Sequence, residues 1–159
     1  MTIALRRGAS ADLPLICELI AELAAYKQLS HALRFDPEVM GTHLFGPHPK
    51  AEVLIGEIDG VAQGFALFFH NFSTFEGRPG LYLEDIFVRP AVRGLGLGTA
   101  LLAHLARLAI ERGCARMEFA VLDWNTPTIG FYKALGARAM SDWTVMRIDD
   151  GALVKLAGV

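Results

Sequence analysis

The order of elements legible in the sequence predicts an α/β or α+β domain, a mixed sheet covered by helices. Three observations carry that prediction. Strand-like and helix-period runs alternate along the chain, punctuated by Gly, Pro and an Asp59-Gly60 pair. The chain has 159 residues, 53% hydrophobic and 20% charged, which suits one domain, residues 1–159, with a real core and is too apolar for disorder. Finally, a β-rich run at 81–88 passes through the glycines Gly94, Gly96 and Gly98 straight into an amphipathic helix.

Taken in order, residues 2–7 alternate and read as an opening strand broken by Gly8. Ser10 is the expected cap of a first helix, with Asp12 in its first turn and Pro14 tolerated early. Leu15, Ile16, Leu19, Ile20, Leu23 and Ala24 give its apolar face, and it ends near Tyr26-Lys27. Asp36-Pro37 starts a second helix, stopped by the breakers 45–49. Residues 51–58 and 61–69 read as strands joined at Asp59-Gly60, with Gly64 a candidate bulge and 71–80 a loop. After strand 81–88 come a helix over 98–112, a strand over 116–122, and a helix capped by Thr126 with Pro127 at its first position. A last strand is expected around 143–148, and the tail 152–157 fits strand or helix.

A net charge of −2 signals no basic face, so nucleic acid is not an expected partner, whereas a cationic substrate is compatible. Cys17 and Cys114 are too few for a disulfide framework and read as buried thiols of a reducing compartment. Arg6 and Arg7 interrupt any leader pattern, and no apolar run reaches membrane length, so the expectation is a cytoplasmic protein without membrane contact. His31, His43, His48, His70 and His104 show no metal-binding spacing, and no metal is expected.

Strand, glycine turn and helix together form an anion site. Glycine lets main-chain N–H groups approach a ligand, and first-turn helical N–H groups are unpaired and partly positive. The spacing departs from the dinucleotide fingerprint, since Leu101 stands where a third glycine would fall, and the Walker lysine is missing. What remains is Arg93-Gly94-Leu95-Gly96-Leu97-Gly98, R-x-x-G-x-G. It resembles the acyl-CoA signature of the GNAT N-acetyltransferase superfamily. Packing of a tight helix start is the alternative use of such a turn. Residues 82–88, 93–98 and 123–127, with Gly130-Phe131-Tyr132-Lys133 and Gly136-Ala137, resemble the diamine branch, the spermidine/spermine and thialysine acetyltransferases. Leu23-Ala24-Ala25-Tyr26 is a looser match to that branch's first helix.

The resemblance implies a twisted, mostly antiparallel mixed sheet of about six to seven strands with about four helices. It implies acetyl-CoA as co-substrate, a small primary amine as acceptor, and a homodimer. An amine attacking a thioester must first lose a proton. Glu84 matches the family's acid that binds substrate and relays a proton through water, and alternation places Glu84 and Asp85 on opposite faces. Main-chain groups of Ile86, Phe87 and Val88 would pair with the pantetheine arm and supply an oxyanion donor. Arg93, Gly94, Leu95, Gly96, Leu97, Gly98 and Thr99 would hold the pyrophosphate. Asn125, with Thr126 and Thr128, matches the residues near pantetheine, and Tyr132 matches the acid for the leaving thiolate, a phenol whose pKa is near that of a thiol. Each has a plain structural use as well: an exposed carboxylate, a turn-forming Asn, a packed aromatic. Tyr26, Glu118 and Phe119 fall where the branch contacts its amine, and Asp123 and Asp142 are further acids that would shape an amine pocket. Ser141-Asp142 stand where the branch carries adjacent glutamates, a departure that weakens the match to a long polyamine. Two other functions fit the sequence: acetylation of a peptide amine, which wants an open groove, and a non-catalytic acyl-CoA sensor, against which Glu84, Asn125 and Tyr132 argue.

Overall fold

A computed structural model describes residues 1–159 and divides into two compact units, 1–120 and 121–159. The first holds a five-stranded sheet in the order of the chain: β1 (Ile3–Arg7), β2 (Glu52–Ile58), β3 (Val61–Ser73), β4 (Arg78–Val88) and β5 (Met117–Phe119). The first three pairings are antiparallel and β4–β5 is parallel. Helices α1 (Leu13–Tyr26) and α2 (Pro37–Phe45) precede β2, and α3 (Leu97–Glu111) connects β4 to β5. The second unit holds α4 (Thr126–Ala134) and α5 (Asp150–Ala157).

The first-unit core follows from the periods in the sequence. The face of α1 spaced three and four residues apart, Ile16, Leu19, Ile20 and Leu23, is buried against Val53, Ile55, Phe65 and Phe87, which are alternate positions of β2, β3 and β4. Helix α3 buries Leu97, Leu101, Leu102 and Leu105. Full burial of each such side chain contributes about 1.5–3 kcal/mol. Asp36 caps α2 by accepting from the Glu38 and Val39 N–H groups, at 2.8 and 3.3 Å, with Pro37 first in the helix. The Asp59-Gly60 turn has φ of 49° and 79°, the paired positive angles of a tight hairpin.

Several boundaries differ from expectation. A short 3-10 turn, Ser10–Asp12, precedes α1, so the cap position of α1 is Asp12 rather than Ser10; its side chain makes no cap hydrogen bond to α1 and instead accepts the Ala9 N–H at 2.8 Å. The expected loop over 71–80 is largely sheet. Asn71, Phe72 and Ser73 pair with Gly80, Pro79 and Arg78, and buried Ser73 closes the turn by accepting the Glu76 N–H. Gly64 is not the extra residue on β3. Pairing skips Gln63, next to it. Gly64 is needed for close approach instead, because a Cβ there would lie 2.5 Å from the Phe87 carbonyl oxygen. Asn125 rather than Thr126 is the cap position of α4, a one-residue shift.

The sheet has five strands where six to seven were expected, and five α-helices accompany it where four were expected. The expected strand over 116–122 shrinks to three residues, because its pairing with β4 stops at Leu83–Phe119. Residues 143–148 form no strand. Trp143 instead closes a turn by donating its N–H to the Met140 carbonyl at 3.2 Å. Strand periodicity needs a free sheet edge to become a strand, and no edge of this chain pairs with that segment. The ambiguous tail is helical.

Two glycines test this packing with opposite signs. Gly64→Ala is expected to lower unfolding free energy by about 1–3 kcal/mol through the Phe87 clash. Gly130→Ala, inside α4 with no atom within 4 Å of the added methyl, is expected to raise it by about 0.5–1 kcal/mol. Urea unfolding of the two variants measures both.

Candidate active site

The register of β3 against β4 creates the central feature. Leu67 pairs with Asp85 and Phe68 with Leu83, so Glu84 is an extra residue on β4, a β-bulge. Pairing of β4 with β5 ends one residue earlier, at Leu83. From Glu84 to Val88, therefore, β4 keeps β3 on one side and has no strand on the other. The direction of each main-chain group then follows. The Arg89 N–H donates to the Gln63 carbonyl at 2.9 Å, which makes Arg89, Phe87 and Asp85 face β3 and leaves Ile86 and Val88 facing the free edge. Phe87, expected to offer its main chain to a ligand, is thus bound to β3, and its ring is core.

The bulge also changes the parity of β4. Tyr82 stacks its ring on Phe69 at 5.2 Å, and Asp85 reaches Lys27, at the end of α1, at 3.5 Å. Even-numbered residues before the bulge and odd-numbered ones after it share the α1 face. The expected opposition of Glu84 and Asp85 does not hold at a bulge, where strict alternation is lost. Glu84 itself is exposed.

Past Val88 the chain makes a short 3-10 turn, Pro90–Val92, and then the glycine turn. Gly94 and Gly96 have φ of 80° and 93°, a region that disfavours any side chain. A Cβ on Gly94 would meet nothing within 4 Å, and one on Gly96 only Ile3 Cδ1 at 3.8 Å, so the turn is not plugged. Leu97 is a core side chain, 1% exposed, and offers a ligand only its main chain. The residues 93–99 carry no acid, and the first-turn N–H groups of α3 have no partners within the helix. This donor set fits a pyrophosphate.

Around the free edge the structure gathers Tyr26, Lys27, Asp85 and Arg93. Helix α1 ends with the Leu29 N–H on the Ala24 carbonyl at 2.8 Å and Gln28 at φ 60°, which fixes Tyr26 and Lys27. The Arg93 guanidinium lies over the Tyr26 ring, 4.5 Å from its centre, and 5.6 Å from that of Phe87, and its Nε–H donates to the Val88 carbonyl at 2.9 Å. Arg89 is held by Glu18 and Glu22 of α1. A second group surrounds Tyr82, which pairs in register with Glu118 as Leu83 does with Phe119. Burial first, then the charges of Glu84 and Glu118, push the Tyr82 phenol above its ordinary pKa. Glu118 also accepts from Arg116 at 3.2 Å and from Asn71 at 3.5 Å. Tyr82 was missed in the sequence because a strand tyrosine beside two leucines looks like core. The signal was its spacing, two residues before Glu84.

In the second unit, Asn125 is buried at the entry to α4, and its carbonyl accepts the Ile129 N–H at 3.0 Å. Thr126 and Thr128 follow in the first turn, Thr126 exposed and Thr128 half-buried. Tyr132 stacks on Phe131 at 5.6 Å and is buried, which pushes its phenol up to about 12. Asp123 and Asp142 lie exposed on loops of this unit.

Known proteins give the same picture. The family model described as Acetyltransferase (GNAT) family matches residues 18–137. A thialysine N-epsilon-acetyltransferase of Bos taurus is 36% identical over 165 aligned residues, covering 97% of this chain and 96% of its own. An L-ornithine N5-acetyltransferase of Arabidopsis thaliana is 41% identical over 95 residues, 60% of this chain and 42% of its own. Among solved structures, an integron cassette protein from the mobile metagenome of V. cholerae superposes with a TM-score of 0.82 at 27% identity, covering 100% of this chain and 99% of its own. With the free β4 edge, the glycine turn and these matches together, the chain belongs to the GNAT acetyltransferase family.

Proposed function

We propose that this enzyme is an acetyl-CoA-dependent N-acetyltransferase that acetylates a primary amine of a small molecule, a diamine, polyamine or lysine-like amino acid, by direct attack with both substrates bound. We propose also that its two compact units work as one catalytic domain, a cytoplasmic homodimer in the cell. One observation carries the reading: the β4 edge freed at Glu84 is followed, after one short 3-10 turn, by the open glycine turn. A strip of main-chain donors at that edge and turn suits an extended thiol arm ending in phosphates. The names of the relatives, which specify acetyl transfer to thialysine and to L-ornithine, point to the same chemistry.

Acetyl-CoA, when bound, supplies the acetyl group as a thioester. The chain supplies the rest. Main-chain N–H groups of Gly94, Gly96, Gly98 and Thr99 grip phosphate, and the Ile86 and Val88 edge aligns the arm. An N–H of that edge, fixed in advance, donates to the oxygen as it gains charge. Glu84, exposed on its bulge, holds the incoming ammonium and takes its proton through water. Tyr26, Glu118 and Phe119 line the amine side, and Asn125, Thr126 and Thr128 the thiol arm.

The acid for the departing sulfur is assigned to Tyr132 in this scheme. With its phenol at about 12 and a thiol near 8.5, full proton transfer to sulfur runs uphill by about 3.5 pH units. The balanced transfer expected from the sequence is replaced by a role as a fixed O–H donor to the developing thiolate.

No helix is long and apolar enough to cross a membrane, and both cysteines are free, as a reducing compartment allows. Support for a second copy comes from residues 137–159. Trp143, Val145 and Met146 are 71%, 88% and 84% exposed, an apolar patch that a copy of this chain would cover.

In an amine panel, Tyr132→Phe is expected to lower kcat ten- to thousandfold while coenzyme A affinity stays within threefold, and Glu84→Gln to lower kcat/KM about ten- to hundredfold. Unchanged turnover in either variant removes that role. Because burial raises the Tyr132 pKa, its phenol holds its proton through the ordinary value of 10.0, and the stability it lends fades only between there and about 12. Tyrosinate absorbance of wild type minus Tyr132→Phe is expected to show no ionisation as pH passes 10. Light scattering is expected to give twice the 17.3 kDa chain mass, and Val145→Asp to return a monomer.

A further inference from the structure

Outside the candidate active site, one chain of polar side chains ends on a sulfur. Glu52 of β2 accepts from Arg112, at the end of α3, at 2.5 and 3.0 Å, and from Arg7 of β1 at 2.9 Å. Arg112 Nη1 also lies 2.9 Å from His70 Nε2, on β3. His70 Nδ1 lies 3.0 Å from the Gly80 carbonyl oxygen and 3.6 Å from Cys114 Sγ.

The direction of these contacts follows from one fact: a guanidinium donates hydrogen bonds and accepts none. His70 Nε2 is therefore an acceptor, and the ring hydrogen sits on Nδ1, shared between the Gly80 carbonyl and the Cys114 sulfur. Cys114 thus faces an N–H, which supports the thiolate, the form that attacks. The cation behind the ring acts in the same sense. Hydrogen bonding to Glu52 first, with the charge of the Cys114 sulfur among the smaller causes, holds the Arg112 guanidinium above its ordinary value. Cys17 supplies the contrast. Both cysteines are free and half-buried, but burial pushes the Cys17 thiol up.

Arg112 also walls a cleft of about 230 Å³, together with Arg6, Arg7, Glu52 and His104. Arg6 is matched by Asp12 and Glu57. Arg7 and Arg112, in contrast, share the single carboxylate of Glu52, which leaves positive charge in surplus. A reagent arriving by this cleft is favoured if it is an anion.

We propose that Cys114 is a modification site, a thiolate that exchanges with an anionic disulfide of low molecular weight. The proposal does not depend on the acetyltransferase reading. In the step, Cys114 gives its proton to water and its sulfur attacks one sulfur of the disulfide. A new S–S bond forms to Cys114, the old one breaks, and its electron pair leaves on the second sulfur as a thiolate. Two electrons pass from the Cys114 sulfur to the disulfide, so no further oxidant is needed. His70 and Arg112 are positioning residues that support charge on the attacking sulfur.

The intact protein is labelled with iodoacetamide at neutral pH, and adducts at each cysteine are followed by peptide mass spectrometry. Cys114 is expected to react about tenfold or more faster than Cys17. In His70→Leu and in Arg112→Met the Cys114 rate is expected to fall about fivefold or more, with Arg112→Lys between, while the Cys17 rate stays within about twofold. Circular dichroism confirms that each variant is folded, and the wild-type ratio of the two rates stands whether or not a variant folds. A second arm uses oxidised glutathione, an anion, against cystamine, a cation, each rate divided by that of a free cysteine peptide. At low salt the normalised rate at Cys114 is expected to favour oxidised glutathione by about threefold or more. The proposal is overturned if Cys17 reacts as fast as Cys114, if Cys114 keeps its rate in folded His70→Leu or Arg112→Met, or if cystamine matches oxidised glutathione.

Discussion

One surplus residue in β4 governs the rest of the first unit. A strand that keeps perfect register with both neighbours has no main-chain group to spare. By placing Glu84 outside the register with β3, at the point where β5 stops, the chain lets β4 continue with a single neighbour. The exposed Ile86 and Val88 groups, the acid at the start of the free edge and the change of parity that puts Phe87 into the core all follow from that one insertion. An unprotected edge is an aggregation risk in most sheets. Here it is short, bordered by Glu84 and Arg89, and it ends in a 3-10 turn at Pro90.

Most of the scaffold was legible in the sequence because it rests on local signals. The apolar period of α1, the Asp36-Pro37 start and the Asp59-Gly60 hairpin each act over a few residues and were recovered with small boundary shifts. The glycine turn was legible for the same reason, since positive φ at Gly94 and Gly96 needs glycine whatever the tertiary context. What sequence could not show was register. Nothing in Leu83-Glu84-Asp85 announces that one residue will be left out of the ladder, because the decision depends on which partner residues lie opposite. Hence the mistaken expectation about Glu84 and Asp85, and the assignment of Phe87 to the ligand edge. The path of the Arg93 side chain was hidden too, because it is set by Tyr26, distant in sequence.

Residues 121–159 show a second limit. The run from Trp143 to Ile148 has the composition of a strand, but composition gives a segment only the capacity to pair. It joins no strand of the sheet and stays irregular, and its apolar side chains are exposed. Tyr132 shows the limit in energetic form. A phenol's acidity is a property of its burial as well as of its residue type, and burial shifts Tyr132 away from the match with a thiol expected from the sequence.

The glycine at position 56 has a consequence beyond its own strand. A methyl group there would meet Leu97 Cδ1 at 2.8 Å, and Leu97 is the first residue of α3. The helix whose first-turn amides we propose as the phosphate site is keyed into the sheet by that fit. A side chain added at Gly56 on β2 would therefore have to displace Leu97, and with it the start of α3. Tuning of turnover in this enzyme has a handle remote from every reacting atom.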